Sequence, residues 1–464
     1  MRFRNNVLPL AIGIAFCSGA VVTTGAQSPA ATAVKATLAV VGGFLIDGYG
    51  GPPRPNAVVL VDGDKIVAVG EEGRLAIPAG AKTVDANGFT VMPGLIDTHV
   101  HLDIIGHGNY AEWHPMVRNE YAEVMRLAAA QLLAHGITTA LDAGGDTKVS
   151  IATRDRITRG ELKGPRLLVS GGWIQKSSDE AVKRHHRASQ ISNAQTPEEA
   201  RAATRRLLDA GVDAIKVYTG LSAEQIAAIS DEAHQRRKLV GAHVYSDMEI
   251  QNAIKGGVDI LHHAGSGHQN PLYSEETLRM MAESQIPVGQ SIAHRVALYP
   301  AHMSWPERLD DPRLRRELGK YADPIMASLR DFTGLGYFGR IQLQMRVAPA
   351  ATRQLYEAGI RIIMGTDSGT PGYFHSESVW REMDALVRMT GMTPSEVIGA
   401  TTKDAAAALR VNTGVIAPGR LADIILVKGN PLESMLYMQN VAVVIKDGVI
   451  QTTTAAVGTT TTSQ

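Results

Sequence analysis

Six side chains in this sequence are of types that ligate metal ions, directly or after modification, and each sits in or at the end of a short apolar run. His99-Val100-His101 follows Val91-Met92-Pro93-Gly94-Leu95-Ile96-Asp97-Thr98. Alternation along an extended strand turns residues i and i+2 to one side, so both imidazoles can grip one cation. His243 ends Val240-Gly241-Ala242-His243, and His263 ends Ile260-Leu261-His262-His263. By the same alternation His262 is expected to point away, to pack or to orient a ligand. Asp367 closes Met364-Gly365-Thr366-Asp367, where a carboxylate can hold a cation or cap a helix. Lys216 sits in the apolar stretch Asp213–Tyr218, a costly place for an unpartnered ammonium. Beside a metal, the neutral amine can take up carbon dioxide and become a carbamate, an anionic oxygen ligand able to bridge two cations. Singly, each of these residues has an ordinary explanation as a satisfied histidine, a solvated lysine or a cap; together they need a scaffold that gathers them.

The elements supply one. Candidate strands are Thr90–Leu102, Ile137–Asp142, Arg166–Ser170, Ala214–Tyr218, Leu239–Val244, Ile260–His263, Pro287–Ser291 and Arg361–Thr366. Helical patterns such as Glu198–Ala210, Ala223–Arg237 and Ser274–Glu283 lie between them, with Gly136, Gly211, Gly257 and Gly359 at helix-to-strand turns. Eight strand–helix repeats predict an α/β fold with a parallel (β/α)8 TIM barrel, whose chemistry sits at the C-terminal ends of the strands. A doubly wound open sheet is the alternative, but no Gly-x-Gly-x-x-Gly follows an early strand. In the barrel reading the six residues fall at the ends of strands one, one, four, five, six and eight.

Both chain ends have a different texture. Short strand-like segments, Leu38–Leu45, Ala57–Val61, Lys65–Val69 and Thr83–Asp85, recur as Ala422–Val427, Val441–Lys446 and Val449–Thr452. They suggest one small β-sandwich domain formed by both chain ends, its N-terminal portion over 36–88 and its C-terminal portion over 413–455. The barrel occupies 89–412 between them, and a disordered Thr-rich tail follows over 456–464. At the start, Arg2 and Arg4 precede the apolar run Val7–Val22 and then Thr24-Gly25-Ala26, the layout of a signal peptide over 1–26. An uncleaved anchor is the other reading of that run. No later stretch reaches the roughly 18 apolar residues that span a bilayer. A periplasmic or secreted protein with no membrane contact after cleavage is expected.

Composition excludes other classes. With 46 Lys+Arg against 46 Asp+Glu, the chain has no charge excess for nucleic acid or anionic lipid, and aromatics at 5 % make no stacking platform for bases. The single cysteine, Cys17, excludes a disulfide framework, a zinc knuckle and a Cys-ligated iron–sulfur cluster. Any metal is held by nitrogen and oxygen. The expected partner is a small-molecule substrate, and homo-oligomerisation stays open.

The string Pro93-Gly94-Leu95-Ile96-Asp97-Thr98-His99-Val100-His101 and the ending Gly414-x-Ile416-x-Pro418-Gly419-x-x-Ala422-Asp423 resemble the amidohydrolase superfamily, in its binuclear subtype with a carboxylated lysine. The resemblance implies that His99, His101 and Asp367 bind the more buried of two divalent ions and His243 and His263 the other. Carboxylated Lys216 and a hydroxide would bridge them. It implies hydrolysis of an amide or related C–N acyl bond, with Asp367 taking a proton from water and passing it to the leaving nitrogen. Zinc suits the ligands; cobalt, manganese or iron also fit. Mononuclear deaminases of the superfamily lack the strand-four lysine. The nearest resemblance is to the imidazolonepropionase-related group, which holds exported dipeptidases and carboxypeptidases, ochratoxin amidases and phenylurea and thiocarbamate hydrolases. A metal-free binding or assembly protein on the same scaffold is the non-enzymatic alternative.

The chain departs from dipeptidase-like members in two places. Gly171-Gly172-Trp173-Ile174-Gln175-Lys176 stands where they carry Gly-Gly-His-Gly, and Lys216-Val217-Tyr218-Thr219-Gly220-Leu221 where they carry Lys-x-x-x-x-Gly-Gly. Urea or carbamate hydrolysis thus stands beside peptide hydrolysis. Tyr218, two residues past the lysine, is a candidate oxyanion donor and substrate contact. His294 is a further catalytic or substrate-contacting candidate, and His375 a substrate contact. The long segment Ala293–Pro349, with Tyr299, Trp305, Tyr321, Phe332, Tyr337 and Phe338, reads either as an aromatic lid or as helical packing outside the barrel.

Overall fold

The computed structural model describes residues 34–267, 272–297, 304–330, 336–453 and 459–461. The expected signal peptide, Tyr299 and Phe332 lie outside them.

Eight parallel strands carry the middle of the chain: Leu95–Val100, Ile137–Asp142, Arg166–Val169, Ala214–Val217, Leu239–His243, Ile260–His262, Val288–Gln290 and Ile362–Met364. The first three form one sheet; the other five, with Trp173–Gln175 and Ile191–Asn193 added at one edge, form a second. A parallel bridge between Val100 and Ser368 ties the first strand to the segment after the last. Asp97 strengthens that tie. Fully buried, it accepts hydrogen bonds from the Thr366 hydroxyl at 2.6 Å and the Thr366 and His99 amides at 3.0 and 3.1 Å. Removing the hydroxyl would strip a buried carboxylate oxygen of its partner, at about 1–3 kcal/mol.

One predicted strand is broken in two and another is followed by an additional short strand, and both features serve the site. Thr90–Leu102 divides at Gly94: Phe89–Pro93 pairs antiparallel with Ile424–Lys428, while Leu95–Val100 joins the parallel strands. A Cβ on Gly94 would come within 2.2 Å of the Thr138 side chain, so only glycine allows the crossing. Arg166–Ser170 ends at Gly171-Gly172, and the chain resumes as Trp173–Gln175, which pairs with Ala214–Val217 and puts Trp173 opposite Lys216. Gly171 has φ +64°, and a Cβ on Gly172 would meet the Gln190 carbonyl at 2.2 Å.

Helices on the connections begin where the sequence offers caps. Ser222 and Ser246 close capping boxes with Gln225 and Glu249, and Thr196 caps a helix opened by Pro197. Their apolar faces pack on the strands in a core that includes Ile215, Ile226, Ile229, Val240, Ile250 and Leu261.

The chain ends build two further sheets. One runs Val449–Thr453, Val441–Lys446, Ile424–Lys428, Phe89–Pro93, Phe44–Leu45, Arg54–Pro55; the other runs Thr459–Thr461, Lys82–Asp85, Leu38–Val41, Ala57–Asp62, Lys65–Glu71. A shared core of Val40, Val59, Val61, Val91, Leu426 and Val443 joins residues from both sheets. Thr459–Thr461, expected in a disordered tail, pairs antiparallel with Lys82–Val84, because the edge of that sheet offers unpaired backbone groups. No helix among the described residues is long and apolar enough to cross a membrane.

Candidate metal centre

The strand ends bring five histidine, lysine and aspartate side chains against one another and a sixth, His243, beside them. His99 and His101 leave their strand on one side, with Nε2 atoms 3.3 Å apart. Lys216 Nζ lies 3.3 Å from His99 Nε2. Asp367 Oδ1 is 3.3 Å from His101 Nε2 and 3.8 Å from His99 Nε2. The His263 ring lies 4.5 Å from that of His99 and 4.7 Å from that of His243, centroid to centroid. His263 and Asp367 have φ of +72° and +60°, in the left-handed region that non-glycine residues seldom adopt. At both positions the backbone turns sharply off a strand end and aims the side chain back at the cluster.

Hydrogen bonds fix which atoms face inward. His101 Nδ1–H donates to the Gly144 carbonyl at 3.1 Å, which turns Nε2 towards Asp367. His263 Nδ1 pairs with the Ser291 hydroxyl at 2.8 Å. Burial and the nearby Lys216 hold His99 well below the ordinary imidazole range and bring His243 to about 3; burial and His243 hold His263 well below it. Burial lowers Lys216 to about 7. Burial opposes ionisation of Asp367, yet its hydrogen bond and attraction to His101, with His294 and Arg295 beyond, keep it below the usual carboxylate range.

This donor set fits a cation. Unprotonated imidazole nitrogens and an ionised carboxylate facing one another repel unless a positive ion stands among them. Two nitrogens bound to one tetrahedral zinc at about 2.0–2.1 Å are about 3.3 Å apart, the separation found between His99 and His101. His99, His263 and Asp367 offer ligand atoms that all lie within 4.8 Å of one another.

The remaining expectations divide. Tyr218 stands on the cavity wall, 38 % exposed, with its ring 4.6 Å from that of His243. His294 is buried with Nε2 4.0 Å from Asp367 Oδ2, behind the cluster. His375 does not reach the cavity. It is fully buried, Nδ1 paired with the Ser368 hydroxyl at 2.7 Å and Nε2–H donating to the Ile104 carbonyl at 3.1 Å, so it locks the turn after Asp367. His262 also departs from expectation: its ring lies 4.4 Å from His99, edge-on, as near as His263 does. The strand ends at His262, and the left-handed His263 breaks the alternation. Gly241 and Gly289 make room, since a Cβ on either would come within 2.6–2.7 Å of the His262 nitrogens.

A cavity of about 730 Å³ opens over the cluster. Among the described residues its aromatic lining comes from Tyr110, Trp173, Tyr218 and Tyr245. The segment Ala293–Pro349 is largely helical in its described parts, and its described residues on the cavity wall are Arg295, Ile341 and Gln344. Tyr321 is buried against Trp113 and Trp305 is 54 % exposed and does not line the cavity, while the side chains of Tyr299, Phe332, Tyr337 and Phe338 lie outside the described residues. Sequence reasoning also passed over Arg295, His185, His186 and Arg187 on the cavity wall. The run His185-His186-Arg187 and the pair His294-Arg295 were the available signals.

The profile of the Amidohydrolase family matches residues 90–451, and the chain belongs to that family. An ochratoxinase of Aspergillus niger is 26 % identical over 440 residues, covering 86 % of this chain and 82 % of the relative. An imidazolonepropionase of Geobacillus kaustophilus is 25 % identical over 417 residues, covering 85 % and 89 %. The crystal structure of a Xaa-Pro dipeptidase with bound methionine shares the fold, with a TM-score of 0.71 at 24 % identity over 89 % of this chain and 99 % of that one. The protein is thus a metal-binding hydrolase that acts on C–N bonds.

Proposed function

We propose that the strand-end cluster holds two divalent cations and that the protein cleaves an amide or a related C–N acyl bond of a small molecule. The observation that carries this is the convergence of His99 Nε2, His101 Nε2 and Asp367 Oδ1 within 3.3–3.8 Å, with burial keeping His99 unprotonated. In this reading His99, His101 and Asp367 hold one ion, His243 and His263 the other, and Lys216 stands between. Divalent ions there supply a water acidic enough to be a nucleophile near neutral pH and polarise the substrate carbonyl. Zinc suits the nitrogen and oxygen donors.

The chain's own residues then have defined tasks. The Lys216 amine, whose ammonium form burial disfavours, forms an N–C bond to carbon dioxide and releases a proton, giving a carbamate with one negative charge. Asp367, ionised, accepts a proton from the attacking water and returns it to the departing nitrogen, since an amine leaves poorly unless protonated. The Tyr218 hydroxyl donates a hydrogen bond to the oxygen that gains charge on the attacked carbon. His294 and Arg295 stand behind Asp367 and hold its carboxylate in place. The parallel strands close as a (β/α)8 barrel, the two sheets of the chain ends form a small β-sandwich, and residues 1–26 direct export.

Metal analysis of purified protein and a hydrolysis screen of N-acyl amino acids, dipeptides, aryl amides, carbamates and ureas test this. We expect close to two metal equivalents per chain and turnover of at least one C–N class that chelation abolishes. Metal-free protein with full turnover, or lactone and phosphotriester hydrolysis with no C–N turnover, would overturn it.

A further inference from the structure

The cavity wall carries a guanidinium that the reaction does not use. Arg187 follows the helix Asp179–Arg184, and its side chain is 11 % exposed. Nη2 donates to buried Asp103 Oδ2 at 3.0 Å and to the Gly144 carbonyl at 3.1 Å; Nε donates to Gln190 Oε1 at 2.7 Å; and Cζ lies 4.6 Å over the Trp173 ring. These contacts fix the plane of the group and leave Nη1 with no protein acceptor among the described residues, on a side chain that lines the cavity. An arginine ordered in advance and partly desolvated binds an anion without losing side-chain freedom on binding.

Its place relative to the metal centre sets the size of what it can hold. The Gly144 carbonyl that accepts from Arg187 also accepts from His101 Nδ1, so one carbonyl separates the guanidinium from a ligand histidine. Trp173 and Tyr218, with ring centroids 5.9 Å apart, continue the wall from Arg187 towards His243. Asp103 already balances the charge of Arg187, so the site offers directed N–H groups in place of a strong positive field. Arg295, the other guanidinium on the cavity wall, has both Nη atoms engaged, by Ser291 and by the Tyr245 hydroxyl. One directed donor group suits a monoanion such as a carboxylate better than a phosphate dianion.

We propose that Arg187 binds the carboxylate of a substrate whose scissile nitrogen sits on the adjacent carbon, an N-acyl α-amino acid or the C-terminal residue of a dipeptide, with its side chain against Trp173 and Tyr218. This rests on the C–N hydrolase reading above and assigns Arg187 as a specificity residue.

The test compares N-acyl-leucines and leucine dipeptides with counterparts in which hydrogen replaces the carboxylate, using metal-loaded enzyme. Binding of leucine and of 3-methylbutylamine is measured alongside by calorimetry, which needs no turnover. The wild type should favour the carboxylate compounds in kcat/KM by about 10–100-fold, the range for a hydrogen bond to a charged group. Arg187→Gln should raise their KM about tenfold or more, leave the counterparts within about 3-fold, and weaken leucine binding to match; Arg187→Lys should fall between. Because Arg187→Gln alone strands the Asp103 charge, Arg187→Gln/Asp103→Asn is made in parallel and should show the same selective loss. Equal loss on both compound sets in both variants, or a wild type indifferent to the carboxylate in turnover and binding, overturns the proposal. If no C–N compound is turned over but leucine binds in an Arg187-dependent way, the hydrolase reading fails and the anion site stands.

Discussion

The floor and the rim of the cavity are built by different means. On the floor, the six proposed ligands sit on strands or at their ends, and all but partly shielded His101 and His243 are buried. Backbone pairing sets their spacing, as where His243 stands beside His262 and Lys216 beside Trp173. On the rim, Tyr110, His185, His186 and Arg187 stand on short helices and turns held by side-chain contacts: the Arg187–Asp103 pair, Gln190 on Asp103, and His186 stacked on His114 at 5.1 Å. Ladder hydrogen bonds hold a floor atom wherever the substrate varies, whereas a rim built on side chains can be re-specified without disturbing the strands. The difference matches the proposed division, with bond cleavage on the floor and substrate selection on the rim.

The largest effect should come from the floor. Asp367→Asn should keep the fold and lower kcat by about 10³-fold or more, within or beyond the range for a lost acid–base group, because an amide can neither take nor return the proton. Steady-state kinetics with metal content measured on the same sample checks it, and a near-normal rate would break the division. Lys216→Ala should lose the second metal equivalent and most activity, about 10²-fold or more. Acetate or propionate at millimolar concentration should restore part of both, which a merely structural lysine would not allow.

Tyr218 stands where floor and rim meet, so its variant sharpens the comparison. Tyr218→Phe should lower kcat about 10–100-fold with KM within a few-fold, as for loss of an oxyanion donor; a change confined to KM would move Tyr218 to the rim. The smallest effect concerns the rim's response to acid. His114 is buried, its ring nitrogen 2.9 Å from the Tyr121 hydroxyl, and burial lowers it to about 3 against an ordinary value near 6.5. The unfolded chain therefore binds a proton below pH 6.5 that the folded rim refuses, and stability is lost as pH falls from 6.5 towards 3. Thermal unfolding of metal-loaded protein should show a lower Tm at pH 5 than at pH 7.5, and His114→Gln should shrink that gap by a few degrees.

The sequence by itself determined the floor. The placement of polar residues in or at the ends of apolar runs and, for His99 and His101, alternation along a strand are local properties, so His99, His101, Lys216, His243, His263 and Asp367 could be picked out before any contact was known. The strand at Val441–Lys446 and the helix at Ala223–Gln235 were legible for the same reason. Tertiary structure alone decided the rest. Nothing local says that Arg187 meets Asp103, 84 residues earlier, or that Gly94 divides one strand and Gly171-Gly172 separates two because Thr138, Thr147 and Gln190 pass within contact distance. His375 has the residue type of a substrate contact, but both its nitrogens are spent inside the turn that follows Asp367. Periodicity reports which way a side chain leaves its own element. Which partner waits there depends on how elements far apart in sequence close over one another, and burial and hydrogen bonding then separate a binding group from a structural one.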